Sequence, residues 1–208
     1  MRPVTDRRPA HRGDLRRDAI LDALDQWLRQ SGVETVNIAE VAQQAGVSRS
    51  AFYFYFENKA AAVAALMERM LDETYAVNRA LTNGPGAPRY RVHAMLSGLF
   101  GMCERHRHLF RAMLEVRGSS PAVRSIWDDA RESFVDSIAA LIRTERSAGL
   151  APDGVDPRVL ASVLLEFNDR MLERLTVGGP LPAEQLRQGA AAVWLSSIYG
   201  ITESEETR

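Results

Sequence analysis

Lysine and cysteine are almost absent from this 208-residue chain, which contains one of each, Lys59 and Cys103. A single cysteine cannot form an internal disulfide, which excludes a disulfide-stabilised domain and favours a reducing compartment. No apolar run approaches the ~18 residues that a membrane-spanning helix requires. The charged N-terminus MRPVTDRRPAHRGD has no apolar core of a signal peptide. We therefore expect a cytoplasmic protein without a membrane partner.

Sequence signatures of catalysis are also missing. The chain has no glycine-rich phosphate loop, no nucleophile elbow and no paired carboxylates in an apolar setting. Cys103, His106 and His108 lie close together, but tetrahedral zinc needs four ligands and no second closely spaced pair exists. Histidines near a helix C-terminus are the simpler interpretation, because the helix dipole favours positive charge there. We expect no enzyme activity, no cofactor and no metal.

The composition is that of a globular protein, with 46% hydrophobic and 25% charged residues. The net charge is −1, so any argument for nucleic-acid binding has to be local. Residues 1–17 contain six arginines and two aspartates, a local charge of +4. This segment is either a solvated tail or an arm that touches DNA, and the composition leaves both interpretations open.

Hydrophobic periodicity predicts an all-α protein of about nine helices, with no strand and no repeat. Asn37, Ser48 and Asn58 are the expected N-caps of the second, third and fourth helices. The turn-rich segment TNGPGAP at 82–88 separates the fourth helix from the rest. The helices are expected near 15–30, 38–45, 48–56, 59–82, 89–106, 107–116, 122–148, 157–177 and 183–200.

Residues 38–56 have the pattern of a helix-turn-helix. A tight AGVS turn joins two short helices, the small Ala42 lets them approach, and Gly46 accepts a turn conformation that other side chains resist. The later of these two short helices, expected near 48–56, contains the aromatic run FYFYF, in which Phe52 and Phe56 are four residues apart and are expected in the core. This later helix is then the one expected to enter the major groove of DNA.

The exposed positions of this motif are candidates for DNA contacts. The phenols of Tyr53 and Tyr55 can donate to phosphates, whereas Arg49 and Ser50 are candidates for base contacts, since a guanidinium can pair bidentately with guanine. Lys59 is expected at the positive end of the fourth helix, where an anion would bind. The alternative is a purely structural role, in which the aromatic run packs in the core and Lys59 is a solvated surface charge.

The segment VNIAEVAQQAGVSRSAFYFYFENK resembles the helix-turn-helix of TetR-family transcriptional repressors, whose usual form is G-V-S-x-x-x-h-Y-x-Y/H-F-x-x-K, with h an apolar residue. The resemblance covers residues 15–65 closely, and beyond them only the number and rough length of the helices agree. It implies phosphate contacts by Thr35, Asn37, Tyr53, Tyr55 and Lys59. The family often has threonine where this chain has Ala51, which removes one phosphate hydrogen bond. The full predicted DNA-binding set is Thr35, Asn37, Ser48, Arg49, Ser50, Tyr53, Tyr55 and Lys59.

The C-terminal helices offer inward apolar stripes that could line a ligand cavity. For each residue taken singly, a packed core is the alternative. The segments LLEFNDRMLERL and WLSSIYG resemble one family member in which an asparagine and aromatic residues line a ligand channel, which implies ligand contacts for Asn168 and Trp194. That pattern has a second asparagine at Leu165 and a tryptophan at Val92, so this pocket is expected to be more apolar. The predicted lining is Val92, Met95, Leu96, Leu99, Phe100, Cys103, Trp127, Phe134, Leu165, Asn168 and Trp194.

Two features predict a homodimer. Residues 157–177 are apolar on two faces, which one domain cannot easily cover, and residues 189–192 are small enough for close helix approach. Both suggest a two-fold, four-helix interface. Two recognition helices spaced about one DNA turn apart would then read a palindromic operator.

Together these patterns predict a flexible basic arm at 1–14, a helix-turn-helix DNA-binding domain at 15–60, a ligand-binding and dimerisation domain at 61–201 and a flexible tail at 202–208. The expected function is a dimeric repressor that binds a double-stranded DNA operator and is released by a small apolar ligand. Two alternatives remain: a DNA-bridging or nucleoid-associated protein without an inducer, and a small-molecule-binding protein without DNA function.

Overall fold

The computed structural model describes residues 12–201, apart from the side chains of residues 12–14, 71 and 72. The predicted tail at 202–208 and most of the predicted arm at 1–14 lie outside the described residues, so the assignments of both stay predictions. The first helix begins at Arg12, three residues earlier than the sequence predicts. Residues 12–14 are therefore helical, and the predicted arm boundary at residue 14 stays a prediction.

The described residues form nine α-helices and one 3-10 helix, with no strand, which confirms the predicted all-α fold. None of these helices is both long enough and apolar enough to cross a membrane. The 3-10 helix, Val33–Thr35, was not expected from the sequence. The α-helices are α1 (Arg12–Gln30), α2 (Ile38–Gln44), α3 (Arg49–Tyr55), α4 (Lys59–Thr82), α5 (Pro88–Arg105), α6 (Arg107–Val116), α7 (Pro121–Ser147), α8 (Pro157–Val177) and α9 (Ala183–Tyr199).

Local side-chain chemistry sets where the helices begin. Asn37, Ser48 and Asn58 each accept a hydrogen bond from a backbone N–H two or three residues later, at 2.9, 3.2 and 2.9 Å, which confirms the three predicted caps. Proline occupies the start of α5, α7 and α8, where its missing N–H costs no helical hydrogen bond. These caps explain why the observed and predicted helix starts agree so closely.

The turn between α2 and α3 depends on one glycine. Gly46 has a φ of +67°, a left-handed conformation that a residue with a Cβ rarely adopts. Val47 N donates to Ala42 O at 2.9 Å across this turn, and the Ala42 side chain is fully buried where the two helices meet. Both observations confirm the helix-turn-helix expected at residues 38–56.

The long helix α4 connects the N-terminal helices to the C-terminal bundle. It packs against α1 at one end and against α5, α6 and α7 along its length, and one hydrophobic core extends through all of these helices. The predicted domain boundary at residues 60 and 61 falls in its first turn. The division into two domains stays a prediction, since α4 belongs to both.

A buried ion pair joins four helices of the bundle. Arg91 Nη2 on α5 donates to Glu145 Oε1 on α7 at 2.7 Å, and both side chains are at least nine-tenths buried. The same guanidinium lies 3.5 Å from Leu81 O on α4 and 3.5 Å from the Tyr199 hydroxyl on α9. Burial, together with the nearby Glu145 carboxylate, raises the pKa of Tyr199 to about 12. The phenol therefore stays neutral at physiological pH.

Candidate functional site

Helix α3 presents a polar and aromatic surface on a buried aromatic base. Phe52 and Phe56 are buried with their ring centroids 5.6 Å apart, which confirms their predicted place in the core. Tyr53 is 44% exposed, and the Arg49 guanidinium lies 5.7 Å from the centre of its ring. This distance is within the range of a cation–π contact, so the tyrosine ring supports the arginine at the protein surface.

Apart from Tyr55 at the end of α3 and Lys59 on α4, the other residues predicted to contact DNA lie near the starts of α2 and α3. The Ser48 and Ser50 hydroxyls are 2.8 Å apart on the exposed start of α3. Thr35 donates its hydroxyl to Gly32 O at 2.9 Å, and Asn37 Nδ2 donates to Glu40 Oε1 at 3.3 Å. Tyr55 is only partly buried. The structure thus places these side chains on or next to α2 and α3, and their contacts to DNA stay predictions.

Lys59 is placed differently from the expectation. Its Nζ donates to the carbonyl oxygens of Val33, Glu34 and Val36 at 2.9, 3.1 and 3.0 Å. An ammonium has three donors, so all three are used within the chain. This corrects the expectation of an open anion site at Lys59. A phosphate contact would require the lysine to leave these carbonyls.

A cavity of about 100 Å³ lies inside the C-terminal bundle, and its walls are mainly apolar. Seven of the predicted lining residues reach it, from α5, α7, α8 and α9. They are Met95, Leu99, Trp127, Phe134, Leu165, Asn168 and Trp194. The packing therefore contains an apolar interior space, as the sequence predicts. Binding of a ligand in this space stays a prediction.

Four predicted lining residues do not reach the cavity: Val92, Leu96, Phe100 and Cys103. All four are buried, but they form a separate stripe on α5, spaced by three or four residues. The stripe that faces the cavity is Met95, Leu99 and Met102. Helix α5 is buried on two faces, and its hydrophobic periodicity could not indicate which face borders a cavity.

Sequence reasoning also missed one wall of the cavity. Helix α4 contributes Met67, Met70, Thr74, Val77 and Asn78. The two methionines lie on the apolar stripe of α4, where they are typical of an adaptable surface because a methionine side chain is flexible and polarisable. The other unpredicted lining residues are Met102, Phe110, Ile126, Ala130, Arg131, Ile138, Asp169 and Leu172.

Asn168 has a fixed orientation in the cavity wall. Trp194 Nε1 donates to Asn168 Oδ1 at 3.0 Å, and both side chains are buried. An indole N–H can only donate, so its partner has to be the amide oxygen. Among the side chains that the structure describes, the bond from Trp194 is the one that Asn168 makes, and its Nδ2 group donates to none of them. The wall thus offers a hydrogen-bond donor to whatever fills the cavity.

Three polar side chains separate the cavity from a polar recess of about 420 Å³ that opens at the surface. Trp127 Nε1 donates to Asp169 Oδ2 at 3.1 Å, and Arg131 Nε lies 3.1 Å from the same oxygen. Burial raises the pKa of Asp169 to about 6, although Arg131 and the hydrogen bond from Trp127 act in the opposite direction. The partition between cavity and recess therefore contains a carboxyl group that titrates near neutral pH.

Helix α6 contacts both the cavity and the N-terminal helices. Phe110 lies in the cavity wall. On the same helix, His108 Nε2 is 2.7 Å from Asp25 Oδ1 on α1, and Glu115 Oε2 accepts a hydrogen bond from Val33 N at 2.9 Å. A displacement of α6 would therefore change contacts at the cavity together with contacts to α1 and to the 3-10 helix that precedes α2.

The cysteine and histidines that raised the question of a metal site have separate partners. Cys103 Sγ is 3.5 Å from the Thr176 hydroxyl, and His106 Nε2 is 2.9 Å from Glu73 Oε2 on α4. His108 pairs with Asp25, as described above. In the described part of the chain, no three His, Cys, Asp or Glu side chains lie together as metal ligands would.

Helix α8 leaves an apolar stripe uncovered in the single chain. Val159 and Val163, four residues apart on α8, are 53% and 60% exposed. Val193 on α9 is also exposed, and Phe167 continues the α8 stripe as a half-buried residue. Exposed apolar side chains in such a row are typical of a surface that packs against another protein.

The N-terminal and C-terminal parts of the chain each match a known family model. The family model for bacterial regulatory proteins of the tetR family matches residues 20–66. The model for the C-terminal domain of the transcriptional regulator EthR matches residues 92–200.

Individual relatives agree with these matches. The HTH-type transcriptional regulator EthR of Mycolicibacterium smegmatis is 30% identical, and the alignment covers 90% of this chain and 88% of the relative. Nucleoid occlusion factor SlmA of Idiomarina loihiensis is 28% identical over 74% of this chain and 80% of its own length. The crystal structure of the regulator FadR from Bacillus subtilis in complex with stearoyl-CoA has a TM-score of 0.68 at 16% identity, covering 88% of this chain and 98% of that one.

Proposed function

The chain belongs to the TetR family of transcriptional regulators, and we propose that it is a repressor that binds a palindromic operator as a dimer and is released by a small, largely apolar molecule. The observation that carries this proposal is the link between two candidate sites. Helix α6 contributes Phe110 to the apolar cavity and Glu115 to a hydrogen bond with Val33 in the 3-10 helix, which leads directly into α2 of the helix-turn-helix. Occupancy of the cavity can therefore affect the position of α3.

The DNA contacts of the proposal follow from the surface of α3. Arg49, supported by the Tyr53 ring, projects from the start of the helix that would enter the major groove. Arg49 and Ser50 would read base edges, while Tyr53 and Tyr55 would contact phosphates and fix the register. The Ser48 hydroxyl accepts a hydrogen bond from Ala51 N as the N-cap of α3, so its first role is to hold the start of this helix.

A dimer would cover the apolar stripe of α8. Val159 and Val163 would pack against the same residues of a second copy, since an isologous interface uses one surface patch twice. Helix α9 would complete the four-helix interface with Val193. The dimer is also what a palindromic operator requires, because each half-site takes one recognition helix.

Release by a ligand would be a population shift. The cavity of about 100 Å³ is smaller than the ~300–1,000 Å³ of typical ligand pockets, so a larger ligand requires the surrounding helices to separate. Such a ligand binds the separated conformer more tightly and shifts the equilibrium toward it. Because α4 and α6 form part of the wall, their displacement would move the helix-turn-helix away from the operator spacing.

The orientation of Asn168 narrows the class of ligand. Its Nδ2 group can only donate, so the ligand should carry an acceptor such as an ester, amide or ketone carbonyl. The remaining wall is mainly apolar, so the rest of the ligand should be hydrocarbon. A ligand that lacks an acceptor would leave the buried amide unsatisfied.

The ligand class can be tested with matched probes. We expect the ratio of methyl hexanoate affinity to octane affinity to be about fivefold higher in wild type than in a variant without the Asn168 donor, the effect of about one kcal/mol from a single hydrogen bond. The double variant Asn168→Leu, Trp194→Phe removes both partners of the buried pair, so it should lose this preference without leaving either group unpaired. Isothermal titration calorimetry measures both ratios. An ester preference that persists in the double variant would contradict the assignment of Asn168.

The DNA function can be tested by fluorescence anisotropy with duplexes from the DNA flanking the gene and with shuffled controls. We expect a dimer to bind one of the flanking duplexes saturably, with one chain on each half-site. Its affinity should fall steeply as the salt concentration rises. Arg49→Ala should weaken binding by about 5- to 150-fold per half-site and relax the preference at one base position in each half-site, since a base contact contributes about 1–3 kcal/mol. Arg143→Ala is the matched control, because Arg143 is an exposed arginine on α7.

Equal and weak binding to all duplexes would instead favour the second candidate, a nucleoid-associated protein without an inducer. The relative named nucleoid occlusion factor SlmA is the observation behind it. The third candidate is a ligand-binding protein without DNA function. It predicts that neither Arg49→Ala nor Tyr53→Ala changes binding to any duplex. The contact of α6 with both the cavity and the 3-10 helix that leads into α2 favours the ligand-responsive repressor over either alternative.

A further inference from the structure

The most exposed aromatic side chain of α3 contributes little to the fold. Phe54 is 81% exposed, although its neighbours Phe52 and Phe56 are buried. Its ring contact among the described residues is an edge-to-face pair with Tyr55, with centroids 5.0 Å apart. A phenylalanine gains most of its favourable free energy from burial, so this ring is placed for contact with something outside the chain.

Phe54 lies on the surface that the proposed function assigns to DNA. It is four residues after Ser50, so the two side chains lie on the same face of α3, one turn apart. The neighbouring row on the same exposed surface consists of Arg49 and Tyr53. If α3 enters the major groove with Arg49 and Ser50 on the bases, Phe54 enters with them.

We propose that Phe54 is a specificity-determining residue that packs against the C5-methyl group of a thymine in each half-site. This inference rests on the proposed function, in which α3 is the recognition helix. A phenyl ring has no hydrogen-bonding group, so it cannot bond a phosphate as Tyr53 and Tyr55 can. In the major groove, thymine is the base with an apolar methyl group at its edge, and phenylalanine is among the side chains that contact it.

The helix geometry places this thymine along the operator. One helical turn is about 5.4 Å long, and base pairs are spaced by about 3.4 Å. The thymine read by Phe54 therefore lies within about two base pairs of the base read by Ser50. A two-fold dimer repeats the contact, so two symmetric thymines are involved.

Replacement of thymine by deoxyuridine tests the contact, because it deletes the methyl group and leaves base pairing unchanged. Each thymine pair of the symmetric operator is replaced in turn, and anisotropy gives the affinity of wild type and Phe54→Ala. At one symmetric pair we expect wild type to lose about fourfold per methyl group, the value of one buried carbon. Phe54→Ala should bind the thymine operator more weakly and lose nothing further at that pair.

Two further variants make the result specific. Phe54→Leu keeps an apolar contact and should retain part of the deoxyuridine effect. Tyr90→Ala removes another exposed aromatic ring, 73% exposed on α5, and should leave both the affinity and the deoxyuridine effect unchanged. Circular dichroism should show that Phe54→Ala melts as wild type does, since its side chain packs against little.

The possible outcomes separate this inference from the function on which it rests. Equal deoxyuridine losses in wild type and Phe54→Ala, or no loss at any thymine, would overturn the thymine contact while leaving DNA binding intact. Failure of wild type to bind any duplex saturably would overturn the DNA-binding proposal itself, and this inference with it.

Discussion

Replacement of Glu145 by alanine is expected to lower the free energy of unfolding by about 3–5 kcal/mol, the usual result of breaking a buried ion pair. The substitution would leave the Arg91 guanidinium buried without its carboxylate, with Leu81 O and the Tyr199 hydroxyl each 3.5 Å away. Its cost is therefore the desolvation of an unpaired charge. Urea unfolding followed by circular dichroism measures it.

Two control variants distinguish this cause from a simple loss of volume. In Arg91→Met, Glu145→Leu both charges are removed, so most of the lost stability should return. Glu132→Ala breaks an exposed ion pair with Arg158 and should change little, because solvent screens such pairs. If the double variant were as unstable as Glu145→Ala, packing and not the unpaired charge would be the cause.

Replacement of Lys59 by methionine is expected to destabilise the protein by about 2–4 kcal/mol, because it removes three hydrogen bonds from a charged donor, and solvent at this partly exposed site reduces each below the usual ~1.5–3 kcal/mol. The three carbonyls it holds belong to Val33, Glu34 and Val36, just before the Asn37 cap of α2. Faster amide exchange at Val36, whose N–H donates to Val33 O, should accompany the loss. The segment that precedes α2 would then be held less firmly against the start of α4.

Salt dependence decides between this internal role and the phosphate contact implied by family resemblance. If Lys59 acts within the chain, Lys59→Met weakens operator binding without changing the slope of log affinity against log salt. A slope reduced by about 0.9 per subunit would show that the lysine contacts a phosphate. Arg69→Met is the control for stability, since Arg69 on the same helix makes exposed ion pairs with Asp18 and Asp22.

The helices were predictable because their ends have local causes. Asn37, Ser48 and Asn58 cap helices through their own side chains, and Gly46 alone provides the left-handed turn residue between α2 and α3. These effects involve residues close in sequence. The 3-10 helix at Val33–Thr35 was missed because three residues are too few to show a period.

The sites were predictable only in part, because they depend on packing between distant segments. The carbonyls bonded by Lys59 lie 23 to 26 residues earlier in the chain. Helix α5 has two buried stripes, and only the neighbouring helices determine that Met95 and Leu99 face the cavity while Val92 and Leu96 do not. The apolar character of α4 was visible, but its place in the cavity wall was not.

Helix α3, the proposed recognition helix, is held by residues other than those it presents to solvent. The Ser48 cap, the Gly46 turn and the buried rings of Phe52 and Phe56 fix its position, whereas Arg49, Ser50 and Phe54 project outward. A seven-residue helix is too short to be stable alone, so its rigidity comes from this inner set. The outer positions can therefore mutate at little thermodynamic cost. Gene duplicates could diverge to new operators by changes at these positions alone, and the same positions are the natural ones to randomise when engineering a regulator of altered specificity.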